Sequence, residues 1–234
     1  MTKKHPEIRP LHRRSTIAAL ATALLTLAPG LAAADNVRPL SSAQIALFES
    51  DHLHGVGDKT ALTYDFEHRG AGGDYSDHVT ETIQAVHDNG SRDVAVAFLT
   101  GTHAIEFPMA TSFKGNPLLM YFLEHDVAEM HQATQGASLY FRNRIREAFL
   151  VGAETHAVTI THDGKQEQAT EITVTPFLKD PMIDRFPAFA EKRYHFVLSD
   201  AIPGTIYEIS TTLPHTDASV GAFTDSVTYA GEQR

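Results

Sequence analysis

Three stretches of apolar and polar alternation, two of them flanking an Asn-Gly dipeptide, constrain this chain more than any other feature. Leu62, Tyr64 and Phe66 alternate with Thr63, Asp65 and Glu67 before a stop at Gly70-Ala71-Gly72-Gly73. Val79, Glu81, Ile83 and Ala85 continue at period two, and Val94, Val96 and Phe98 resume it beyond Asn89-Gly90. A period of two puts one set of side chains on one face of an extended chain. Asn and Gly both tolerate positive φ, so the return strand lies antiparallel to the strand it leaves.

The middle of the chain changes period. Asn116 is a helix cap with Pro117 in the first turn, and Leu119, Phe122, Leu123, Val127 and Met130 recur at spacings of three and four. This predicts a helix from Pro117 to about Thr134, closed by Gly136. Tyr140, Phe141, Ile145, Ala148 and Phe149 keep the helical period, which predicts a second helix over 138–150 and an αα-hairpin. A strand with Arg142, Arg144 and Arg146 along one face is the competing reading. A short helix capped by Ser41-Ser42 precedes the first strand. Strands return at 156–160 and 169–174 around Asp163-Gly164, at 194–198, and at 206–211 as a closing strand. Residues beyond Pro214 are polar and small and read as a loosely held tail.

Short turns between successive strands require antiparallel pairing. The expected fold is therefore α+β: a curved, half-barrel-like antiparallel sheet with a central helical pair inserted between strands. A curved sheet over helices makes a concavity, where apolar or amphipathic small molecules such as lipids commonly bind.

Lys3, Lys4, Arg9, Arg13 and Arg14 precede an uncharged run from Ile17 to Leu27, followed by Ala32-Ala33-Ala34. That order predicts a signal peptide over 1–34, a single domain over 35–234, and export to the periplasm. The apolar run is too short to span a bilayer, so the cleaved protein is not expected to be an integral membrane protein. Without residues 1–34 the chain holds 14 Lys and Arg against 28 Asp and Glu, and so presents no basic face to a nucleic acid. Cysteine is absent, which excludes disulfides and thiolate chemistry. The mature segment is histidine-rich, with twelve of the 14 His beyond residue 34.

The block Gly115-Asn116-Pro117-Leu118-Leu119-Met120-Tyr121-Phe122-Leu123-Glu124-His125-Asp126-Val127, followed by Tyr140-Phe141-Arg142-Asn143-Arg144-Ile145-Arg146, resembles a family of uncharacterised exported proteobacterial proteins. The order of elements and the Leu198-Ser199-Asp200 to Ile202-Pro203-Gly204 hairpin are similar to the half-barrel of LolA-like envelope proteins. That second resemblance implies a carrier of lipids or lipoproteins rather than an enzyme.

No nucleophile elbow, phosphate loop or triad spacing is present, so no catalytic residue is assigned. Arg142 and Arg146 share a face if 138–150 is helical and are the candidate ligand-binding pair, suited to an anionic head group. Asp126 lies at the edge of the apolar stripe and needs a cationic partner, expected from Arg142, Arg144 or Arg146. No resident cofactor is expected, and the alternative function is transition-metal binding. His52 and His54 project to one side of an extended segment, and His125 and Glu129 lie one helical turn apart on the polar side of their helix. A hydrolase of unrecognised type is the third reading.

Overall fold

The computed structural model describes residues 39–214 and 221–233; the expected signal peptide lies outside the described residues. Ser41 caps α1 (Ser42–Gln44): its hydroxyl accepts from the Gln44 N–H at 3.1 Å, and its own N–H donates to the Gln44 side chain at 3.0 Å. A π-helical turn, Ile45–Glu49, continues it. The strands β1 (Ala61–Gly70), β2 (Tyr75–Val86) and β3 (Arg92–Phe98) follow as an antiparallel meander, as the alternation predicts. The connection from β2 to β3 spans 87–91, with Gly90 alone left-handed at φ +80. Two short strands, β4 (Ile105–Glu106) and β5 (Ala110–Phe113), pair with β3 and complete that edge.

Two helices then carry the chain to the opposite edge of the sheet. Asn116 caps α2 (Pro117–Thr134), its side-chain oxygen accepting from the Leu118 N–H at 2.9 Å. The left-handed C-cap is Gln135, at φ +58, rather than Gly136. Gly136 is required for another reason: a Cβ there would sit 2.8 Å from the rings of both Phe141 and Phe186. Residues 138–151 form α3 (Ser138–Val151), the helical alternative, with Phe141, Ile145, Ala148 and Phe149 buried.

Beyond α3 the chain returns strand by strand through β6 (Glu154–His162), β7 (Lys165–Val174), β8 (Arg193–Leu198) and β9 (Ile206–Leu213). The polar segment expected to be a loose tail is instead β10 (Phe223–Gln233), the middle strand of the sheet. The spatial order is β4-β3-β2-β1-β10-β9-β8-β7-β6, antiparallel throughout and not closed. Thr, Val and Tyr suit a pleated surface even in a polar segment, and Asp225 and Val227 alternate inward. β10 therefore joins the two meanders into one sheet, the curved α+β architecture expected.

Register sets what lies beneath the helices. Phe66, Val227, Ile209, Phe196 and Ile172 are direct cross-strand neighbours on β1, β10, β9, β8 and β7, and all five are fully buried. Leu62, Tyr64, Val79 and Phe98 of the sheet are equally buried, as are Leu118, Leu119 and Phe122 of α2. These side chains form one apolar core between the sheet and the helices. Among the described residues no helix is long and apolar enough to cross a membrane.

Candidate functional site

Next to the apolar row runs a polar one. Tyr75 on β2, His68 on β1, Asp225 on β10, Thr211 on β9 and Tyr194 on β8 are successive cross-strand partners. Asp225, Thr211 and Tyr194 are buried, and the His68 side chain is 12% exposed. α2 lays His125, Asp126 and Glu129 against this row. The His125 ring packs against those of Phe66 and Phe98, at centroid distances of 6.4 and 5.3 Å. The face of α2 expected to be solvated is thus directed inward at His125, whose side chain is 10% exposed.

Asp126 meets Lys192, not an arginine: Nζ lies 2.7 Å from Oδ1, and both side chains are buried. The Tyr194 hydroxyl donates to the other carboxylate oxygen of Asp126. Lys192 also lies over the Phe223 ring, 4.7 Å from its centroid, which adds cation–π attraction in a desolvated setting. Of the three arginines of α3, Arg142 turns to Glu124 and Arg144 to Asp180, with Nε 3.6 Å from Oδ2. A buried carboxylate thus obtains its cation from the residue entering β8, which is distant in sequence and close in space.

Burial shapes the charge states around it. Desolvation lowers His125 to about 4, against the opposing charge of Asp126. Desolvation, reinforced by the charges of Asp225 and Asp126, raises Glu129 to about 7. Asp225 is likewise raised by burial, although His68 pulls it down. Burial acts to lower His68, but its hydrogen bonds to Ala71 and Asp225 outweigh this and leave it raised. His68 Nδ1 lies 2.5 Å from Asp225 Oδ1 and Nε2 lies 2.6 Å from the Ala71 carbonyl. The Ala71 carbonyl can only accept, so Nε2 carries a proton, and Nδ1 shares a second hydrogen bond with the Asp225 carboxyl.

Among the residues singled out from sequence, His125 and Glu129 come together, with Nε2 and Oε1 3.6 Å apart. His52 and His54 lie in a turn over residues 52–55 rather than in the extended segment expected. His52 is buried, its Nε2–H donating to the Leu47 carbonyl at 3.0 Å while Nδ1 accepts from the Thr205 hydroxyl. No lone pair is left for an ion, and burial lowers its pKa. His54 is exposed, with Nδ1 3.1 Å from the Asp51 carbonyl. Both border an open cleft of about 680 Å³.

Arg142 and Arg146 do share a face, and they line a groove of about 500 Å³ whose walls come from the π-helical turn, α2 and α3. They do not face the sheet, because Phe141, Ile145 and Phe149 occupy that side of α3. The groove is lined by Phe48, Tyr121, Leu123, Val127, Ile145 and Phe149. Arg142 grips Glu124, with Nε 2.7 and 2.9 Å from the two carboxylate oxygens and Nη2 2.6 Å from Oε2. That hydrogen bonding raises its pKa further above the ordinary arginine value. Arg146, one turn on, is exposed and makes no hydrogen bond or ion pair with the described residues.

No local motif in the sequence marks Lys192, Asp225, His68 or Thr211 as neighbours. The spacing of Asp225, Val227 and Tyr229 at period two is the one signal that marks β10 as a half-buried strand.

No protein-family model and no curated protein matches the chain. Among solved structures, the lipoprotein LppX of Mycobacterium tuberculosis is similar at 10% identity, over 74% of this chain and 86% of that one, with a TM-score of 0.28. A likeness of that degree carries no argument about function.

Proposed function

We propose that this is a non-enzymatic periplasmic binding protein for an amphipathic small molecule with an anionic head group, held in the groove between α2 and α3. The reading rests on Arg146, a guanidinium unpaired among the described residues at an apolar groove. A volume of about 500 Å³ lies in the range of small-molecule sites, and apolar walls with few polar groups are what such sites present. Phe48 and Met120, 36% and 38% exposed, add apolar surface to it. Each methylene of a ligand tail buried there contributes about 0.8 kcal/mol. A carboxylate or phosphate on Arg146 adds a charge-assisted pair that fixes which end of the ligand points outward.

The test is a titration with dodecanoate and with dodecanol, read by displacement of a fluorescent apolar probe, in the wild type and in Arg146→Glu. The expected result is that Arg146→Glu weakens dodecanoate by about tenfold or more and leaves dodecanol within about twofold, since charge-assisted pairs contribute about 1.5–3 kcal/mol. Equal weakening of both ligands, or no saturable binding of either, refutes the reading.

A further inference from the structure

We propose that His125, Glu129 and Asp225 form a three-ligand site for a divalent first-row transition-metal ion, in the cleft where α2 crosses β10. Their ligand atoms all lie within 4.8 Å of one another. Two ligands about 2.1 Å from a tetrahedral ion stand roughly 3.4 Å apart. The 3.6 Å between His125 Nε2 and Glu129 Oε1 is already close to that value. Asp225 closes the remaining distance by a side-chain adjustment.

Two buried polar atoms, one in the cluster and one on the strand beside it, lack a hydrogen-bond partner among the described residues. His125 Nε2 is buried and has no hydrogen-bond partner, although an inward-facing imidazole nitrogen ordinarily finds one. The Thr211 hydroxyl oxygen, on the strand beside Asp225, is also buried without a partner. Among the described residues the close ion pairs of Lys192 and His68 are with Asp126 and Asp225, not with Glu129. A metal ion supplies a positive charge to Glu129 and a partner to His125. His68 meanwhile is an orienting partner for Asp225, bonded to one of its two oxygens.

Access exists as well. A cleft of about 180 Å³ lined by Asp126, His68, Met130 and Phe223 has Glu129, one of the three ligands, in its wall, and the Glu129 side chain is 38% exposed. One imidazole with two carboxylates suits Zn²⁺, Mn²⁺, Fe²⁺ or Co²⁺, and none of the three ligands is a thiolate or thioether that would select a soft ion.

The experiment uses the full chain after chelator treatment and dialysis, titrated with Co²⁺ and read by visible absorption and bound metal per chain, with Zn²⁺ as competitor. The variants are Glu129→Gln, isosteric at a partly exposed position, and His54→Ala, outside the cluster, with folding of each checked by circular dichroism. The expected result is one equivalent bound by the wild type and His54→Ala, and about tenfold or greater loss of affinity in Glu129→Gln. If Glu129→Gln does not fold, His125→Gln is held to the same criterion. The proposal is overturned if the wild type binds no stoichiometric metal, or if the ligand variant binds as the wild type does.

Discussion

Replacing Glu81 with Gln tests how the fold holds the helix that carries both candidate sites. Glu81 points inward from β2 and is completely buried. One oxygen accepts from the Leu118 N–H at 3.2 Å, in the first turn of α2, and the other accepts from the Tyr64 hydroxyl at 3.1 Å. Desolvation raises its pKa from 4.5 to about 7, against the lowering effect of hydrogen bonds from Asn116, Tyr64 and Leu118. Below pH 4.5 the carboxyl is protonated in folded and unfolded chains alike, and it contributes no pH dependence. Between 4.5 and about 7 the folded state keeps a proton that the unfolded state has released, so stability falls as pH rises, by about 1.4 kcal/mol per pH unit. Above that range the loss levels off at about 3 kcal/mol. The amide introduced by Glu81→Gln keeps the acceptor for Leu118 and has nothing to titrate. Urea unfolding of wild type and Glu81→Gln at about pH 5 and about pH 8 measures the effect, with other titrating groups cancelling in the difference. The stability gap between the two proteins is expected to shift by about 2–3 kcal/mol in favour of Glu81→Gln at the higher pH. A gap that stays constant across that range refutes the claim that burial holds Glu81 protonated.

The ion pair beneath α2 makes a second prediction: Lys192→Met strands Asp126 in the core and costs about 3–5 kcal/mol in denaturant unfolding. Adding Asp126→Asn, which keeps an acceptor for Tyr194, recovers most of that loss; no recovery in the double variant contradicts the pairing. At Gly204, φ is +78 and a Cβ would lie 2.7 Å from Leu62 and 3.3 Å from the Tyr64 hydroxyl. Gly204→Ala is therefore expected to lower stability by about 1–3 kcal/mol, and an unchanged unfolding midpoint counts against that packing.

How much of the fold is legible in the sequence follows from which interactions are local. The β1 to β3 meander, the Asn116 cap, both long helices and the Asp163-Gly164 turn depend on neighbours a few residues apart, and period and turn chemistry encode them. β10 is hidden because its outward face is Thr224, Ser226 and Thr228, and because its partner β1 lies at the far end of the chain. The polar row has no contiguous signature at all, since His68, Asp225, Thr211 and Tyr194 meet only through the register of four strands. Asp126 is legible as a buried carboxylate in need of a cation. Its partner is not, because Lys192 lies beyond β7 and reaches it only once the sheet has formed. Helical spacing pairs Arg142 with Arg146, but the direction they face depends on Phe141, Ile145 and Phe149 turning toward the sheet.

Binding of an amphipathic anion in the helical groove is tested most directly by native mass spectrometry of the protein purified from its own host, beside Arg146→Glu prepared in the same way. A co-purifying small acidic amphiphile on the wild type, and its loss from the variant, is the predicted result. Empty wild-type protein that also fails to take up added dodecanoate contradicts it.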